Sequence, residues 1–120
     1  NNYIKFINKP TPGHKPTEES VMNINIQSVH FDADRKLIEF TNKKIEKLEK
    51  FYDHIVGAQV TFRLDKSSTE DNKIAEIRLE IPGNDVFAKR QCKTFEEAVD
   101  QVVDALKVQL TKHKEKQRGE

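Results

Sequence analysis

The sequence predicts an α+β domain of element order β-α-β-β-β-α: a four-stranded mixed sheet with two helices packed on one face. Three observations carry that expectation. Four stretches alternate polar and apolar residues with the two-residue period of a strand, and two longer ones repeat apolar residues at three- and four-residue steps. Gly, Pro and polar runs separate these segments. At 120 residues, 35% hydrophobic and 34% charged, the chain suits one domain with one modest core.

The elements follow in order. The first 21 residues hold three of the four prolines, Pro10, Pro12 and Pro16, which remove backbone donors and fix φ near the polyproline value. Residues 1–21 are therefore expected to be a disordered or extended leader. The folded unit is expected at 22–118, from Met22, with a tail at 119–120. Asn23-Ile24-Asn25-Ile26-Gln27 alternates strictly and opens the first strand, which runs to about His30. Asp34 can accept from the free amides of a helix over about 35–52, in which Leu37, Ile38, Thr41, Ile45, Leu48 and Tyr52 share a face.

After Gly57, the residues Ala58, Val60, Phe62 and Leu64 alternate with polar ones to give the second strand. The polar run 66–72 buries nothing and connects to a third strand containing Ala75, Ile77, Leu79 and Ile81, which ends at Pro82-Gly83. The fourth strand, near 85–92, alternates less cleanly, because Val86 and Phe87 both favour burial and Arg90 shares a face with Ala88. Thr94 and Glu97 form a capping box for the second helix, which runs to about Lys116 and buries Phe95, Ala98, Val99, Val102, Leu106 and Leu110. This order makes the first two strands parallel through a helical crossover and the rest antiparallel. The face away from the helices then carries Asn25, Gln27, Thr61, Arg63, Glu76 and Arg78, polar enough to meet water unaided.

Several classes of chemistry are excluded by what the residues lack. No apolar run approaches the ~18 residues of a membrane span, and no charged-then-apolar secretory leader opens the chain. A single cysteine, Cys92, cannot form an internal disulfide, which fits a cytoplasmic protein. His14, His30, His54 and His113 have no ligand partner at metal-binding spacing, and Gly13, Gly57, Gly83 and Gly119 are isolated, so no phosphate-cradling loop exists. No metal, cofactor, small-molecule substrate or enzymatic activity is expected.

What remains is charge. Lys and Arg number 21 against 20 Asp and Glu, yet the charge is sorted: residues 94–106 hold four acids and no base, and 107–118 hold five bases and one acid. On the first helix Lys36, Lys43, Lys47 and Lys50 form a stripe about 60° wide, flanked by Lys44. An ordinary solvated face, with Glu39, Glu46 and Glu49 as partners one turn away, accounts for that stripe, which by itself is weak evidence of a ligand. A second group, Lys107, Lys112, His113, Lys114 and Lys116, closes the second helix. Asp100 and Lys114 are ~21 Å apart along a helix, more than two screening lengths of ~8 Å, so the acidic start does not neutralise the basic end. So many cations exceed what a helix dipole rewards, and they point to phosphate contact. Lys89, Arg90 and Lys93 make a third, smaller group.

Three stretches, Met22-Asn23-Ile24-Asn25-Ile26, KKIEKLEKFYDHI (43–55) and QLTKHKEK (109–116), together resemble the short ribosome hibernation promoting factors of the ribosome-associated inhibitor, or sigma-54 modulation protein, family. The resemblance covers Met22 to about Arg118, and the Leu-Thr-Lys-His-Lys stretch is its most specific part. It implies a fold similar to double-stranded RNA binding domains. It also implies a translation inhibitor that occupies the messenger and tRNA channel of the small ribosomal subunit and promotes hibernation in stationary phase or stress. The implied partner is that subunit and its ribosomal RNA, with the protein a monomer off the ribosome. By resemblance the RNA-binding residues are Lys43, Lys44, Lys47, Lys50, Lys107, Lys112, His113, Lys114 and Lys116. Lys36, Lys89, Arg90 and Lys93 join them on charge and position. The chain stops four residues after Lys116, which is the pattern of a short form. The alternatives are a protein-interaction module or a generic double-stranded RNA binder whose lysines only solubilise it.

Overall fold

In a computed structural model, residues 4–8, 23–29, 31–52, 54–67 and 70–119 are described, the segments 4–8 and 116–119 by backbone alone. The strands are β1 (Ile4–Asn8), β2 (Asn23–Val29), β3 (Gly57–Leu64), β4 (Lys73–Ile81) and β5 (Asn84–Cys92). The helices are α1 (Arg35–Phe51) and α2 (Phe95–Gly119). From Asn23 onward the order is the expected β-α-β-β-β-α.

Both helix starts are set by the predicted side chains. Asp34 Oδ1 accepts from the Leu37 amide at 2.8 Å, and Thr94 Oγ1 accepts from the Glu97 amide at 3.0 Å. β2 and β3 pair in parallel, which the intervening α1 makes possible, and β3, β4 and β5 pair antiparallel. The β4–β5 hairpin turns on Pro82-Gly83, between the paired residues Ile81 and Asn84. Pro82 presets the first turn residue and Gly83, at φ 89°, supplies the left-handed second one that a type II turn needs. At Gly57 a Cβ would lie 3.3 Å from the Asn23 carbonyl, so glycine eases the approach of β2 and β3 there.

The core lies between the helices and one sheet face. Ile26, Val60, Phe62, Ile77 and Leu79 from the strands meet Ile45 and Leu48 of α1 and Val99, Val102, Leu106 and Leu110 of α2, all buried. Phe95 joins the two layers at one end, stacked on Phe31 at 4.9 Å and edge-on to Phe62 at 5.2 Å. Asn42 is buried on α1 although its residue type gave no sign of it, and Thr41 settles its buried hydroxyl by donating to the Leu37 carbonyl at 2.8 Å.

The structure corrects the sequence expectation in three places. The leader is not wholly unpaired: Ile4–Asn8 forms β1, antiparallel to Asn25–Val29, and makes the sheet five-stranded in the order β1-β2-β3-β4-β5. The outer edge of β2 offers free donors and acceptors, and a pairing made across the intervening residues leaves no mark on a five-residue window. The rest of the leader, and with it His14, lies outside the described residues, as does His30. Helix α2 continues through Gly119, so the expected two-residue tail is helical at its first position. Phe87, for which burial was expected, is 44% exposed on the open sheet face with the Arg78 guanidinium 5.7 Å from its ring centroid.

Candidate functional site

The helical side of the molecule carries the candidate residues, and helix phase decides how each is presented. On α1 the buried positions are Leu37, Thr41, Asn42, Ile45 and Leu48. Lys36, Lys43, Lys47 and Lys50 fall on the opposite side, and all four are exposed. None makes an ion pair among the described residues. The one such pair between residues of α1 is Arg35–Glu39 at 4.0 Å. Glu46 and Glu49 do not answer the lysines. Burial, then the neighbouring Glu46, holds the Glu49 carboxyl above the usual carboxylate range, the reverse of what a lysine partner would do.

Lys44 is one residue from Lys43 but about 100° further round, on the flank facing α2. Its Nζ lies 2.6 Å from Asp100 Oδ1 and 5.4 Å from the Phe40 ring centroid, and its side chain is 29% exposed. On α2, Asp100, Lys107 and Lys114 repeat at seven-residue steps and so line the flank facing α1. Lys114 donates to the Phe51 carbonyl at 3.3 Å and sits 4.9 Å from the Phe51 ring centroid. Lys107 is exposed and makes no ion pair among the described residues. These contacts join the middle of α1 to the start of α2 and the end of α1 to the later turns of α2, so the helices lie side by side in the same direction.

Lys112 is two residues from Lys114, about 200° away, and is exposed on the far flank of α2. His113 is half-buried between them, its ring 6.1 Å from and edge-on to that of Tyr52, which also meets His54 at 5.7 Å. Lys116 belongs to the last turns of α2, and its side chain lies outside the described residues.

The third basic group does not join these rows. Lys89 and Arg90 are neighbours on β5 and project to opposite sheet faces, opposite Glu76 and Ala75 of β4. The Arg90 guanidinium folds onto the Lys89 carbonyl at 2.8 Å. Lys93 immediately precedes Thr94, before the start of α2 and many turns from Lys112.

Sequence reasoning missed Gln109. Its side-chain amide donates to the Phe87 carbonyl at 2.8 Å and accepts from the Phe87 amide at 3.4 Å, so α2 is fastened along the outer edge of β5. A glutamine within an amphipathic helix carries no signal of such a bond.

Burial pushes the Cys92 thiol up, away from the thiolate that would react. Among the described residues no group of three or more His, Cys, Asp and Glu could hold a metal ion. No described helix is long and apolar enough to cross a membrane. The candidate site is a surface of cations on two neighbouring helices.

Comparison with known proteins agrees with that fold. The chain belongs to the family described as Sigma 54 modulation protein / S30EA ribosomal protein, whose pattern matches residues 24–118. A ribosome hibernation promoting factor of Pseudomonas putida is 32% identical over 98 residues, covering 82% of this chain and 92% of the relative. That of Escherichia coli K12 is 30% identical over 95 residues, covering 79% and 96%. Two solved structures share the fold. A ribosomal subunit interface protein from Coxiella burnetii gives a TM-score of 0.67 at 24% identity, over 78% of this chain and 96% of that one. The N-terminal domain of Thermus thermophilus Protein Y gives 0.63 at 22% identity, over 75% and 93%.

Proposed function

We propose that the protein is a ribosome hibernation factor that binds the small ribosomal subunit through its helical face. It occupies the messenger and tRNA channel and so inhibits translation in stationary phase or stress. The observation that carries this reading is the set of six exposed lysines, Lys36, Lys43, Lys47, Lys50, Lys107 and Lys112, without an ion pair among the described residues. Cations left unanswered by the protein's own acids are available to phosphate, and they sit on one rigid two-helix platform. Family membership and the names of the relatives supply the ribosome as the source of that phosphate. The mechanism is occlusion by volume and charge, with no covalent step and no cofactor. The partner is the small subunit and its ribosomal RNA, and the protein acts as a cytoplasmic monomer until it binds.

The test is sedimentation of the protein with purified small subunits, large subunits and a generic RNA duplex over a series of salt concentrations. Small subunits should retain it, with a slope near −5 in log affinity against log salt for ~6 phosphate contacts. Equal retention by any duplex would identify a generic duplex binder, and no retention by small subunits would overturn the proposal.

A further inference from the structure

We propose that Lys44 and Lys114 are positioning residues that set the spacing of the exposed lysines of α1 and α2 and do not themselves contact phosphate; this rests on the reading of the helical face as an RNA interface. Sequence alone groups both with their neighbours Lys43 and Lys112. The structure separates them, because each has its ammonium held by the opposite helix. Lys44 is paired with Asp100 at 2.6 Å, and Lys114 with the Phe51 carbonyl at 3.3 Å and the Phe51 ring at 4.9 Å.

Moving either ammonium to a phosphate has a cost that the exposed lysines do not bear. Asp100 is 53% exposed, so removing Lys44 from it would leave a bare carboxylate beside an anionic ligand. The Phe51 carbonyl is one of the last four of α1, groups with no partner inside their own helix and at the negative end of its dipole. Lys114 supplies that carbonyl with a donor and compensates the end. The anchors on α2, Asp100 and Lys114, are ~21 Å apart, far enough to fix both the distance and the angle between the helices. Without the two ties, the spacing of the exposed lysines on α1 and α2 rests on the buried core beneath the helices alone.

The experiment uses the full chain and two readouts. The first is affinity for purified small subunits across a KCl series. The second is the distance distribution between spin labels at positions 46 and 104, both exposed, in a Cys92→Ala background. Lys112→Met should lower the salt slope by about 0.7 to 0.9, the loss of one phosphate contact, and leave the distance unchanged. Lys44→Met and Lys114→Met should broaden the distance distribution and weaken binding about fivefold at every salt concentration, with the slope unchanged. Lys114→Arg, and the exchange Lys44→Asp with Asp100→Lys, should restore both readouts. A slope loss at Lys44 or Lys114 equal to that at Lys112, or an undisturbed distance, overturns the proposal. If the unaltered protein shows no salt-dependent affinity, the RNA interface is what fails, and the distance measurement still decides whether the ties exist.

Discussion

The two outer surfaces of this domain are built from similar polar and charged residues and dispose of most of their charge differently, although Lys89 on the sheet face is also exposed and without an ion pair among the described residues. On the open sheet face Arg63 meets Glu76 at 3.4 Å, Arg78 meets Asp85 at 3.5 Å, and Gln59 donates to Glu80 at 2.8 Å. The Ser67 hydroxyl donates to Asp65 at 2.7 Å and Gln91 at 2.9 Å, and these bonds, that of Ser67 first, hold the Asp65 carboxyl below its usual range. On the helical face six lysines go without an ion pair among the described residues, the four on α1 although Glu39, Glu46 and Glu49 are within a turn of them. Neighbouring strands set acids and bases opposite or diagonal to one another, where pairing costs little side-chain freedom. A surface that satisfies itself has little to offer a ligand, whereas unanswered cations gain most from one that brings phosphate.

That contrast is tested most severely by moving charge on each face in turn. Replacing Lys43, Lys47, Lys50 and Lys112 together by Glu should reduce affinity for small subunits by about 100-fold or more at physiological salt, with the fold retained. The sheet-face variant Arg63→Gln with Arg78→Gln should leave affinity within about twofold and cost ~1 kcal/mol or less in stability, as exposed pairs do. Equal losses from both sets would erase the distinction between the faces.

A smaller effect sharpens the same comparison within α1. Glu49 binds its proton more tightly in the folded protein than in the unfolded chain, so its charged form opposes folding. That penalty appears as pH rises from the ordinary glutamate range through the raised folded value and is fully present at neutral pH. Glu49→Gln should therefore raise the thermal midpoint at pH 7 by on the order of 1 °C, with the gain fading in acid. A lowered midpoint would show that Glu49 is paired with a lysine after all.

Much of this was legible in the sequence because it is local. Asp34 and Thr94 cap their helices through amides three residues away, and the apolar stripes of α1 and α2 are read directly from their spacing. β1 was not legible, since what makes Ile4–Asn8 a strand is the edge of β2 and not its own pattern. The split of the lysines lay in between. Lys43 beside Lys44, and Lys112 beside Lys114, look like single clusters in a charge count. Only helix phase, with Asp100, Lys107 and Lys114 seven residues apart, hints that some of them face the other helix. The partners themselves, a carboxylate on another helix and the last carbonyl of α1, emerge only when α1 and α2 are laid side by side. Gln109 and its bonds to the backbone of β5 belong to the same category.

The most direct measurement of the central claim is chemical footprinting of small-subunit ribosomal RNA at saturating protein, with the four-lysine variant as control. The account predicts backbone protection along the channel that messenger and tRNA share, lost in the variant and displaced by competing tRNA. A channel left as reactive as in the free subunit, while the protein remains bound elsewhere, would contradict it.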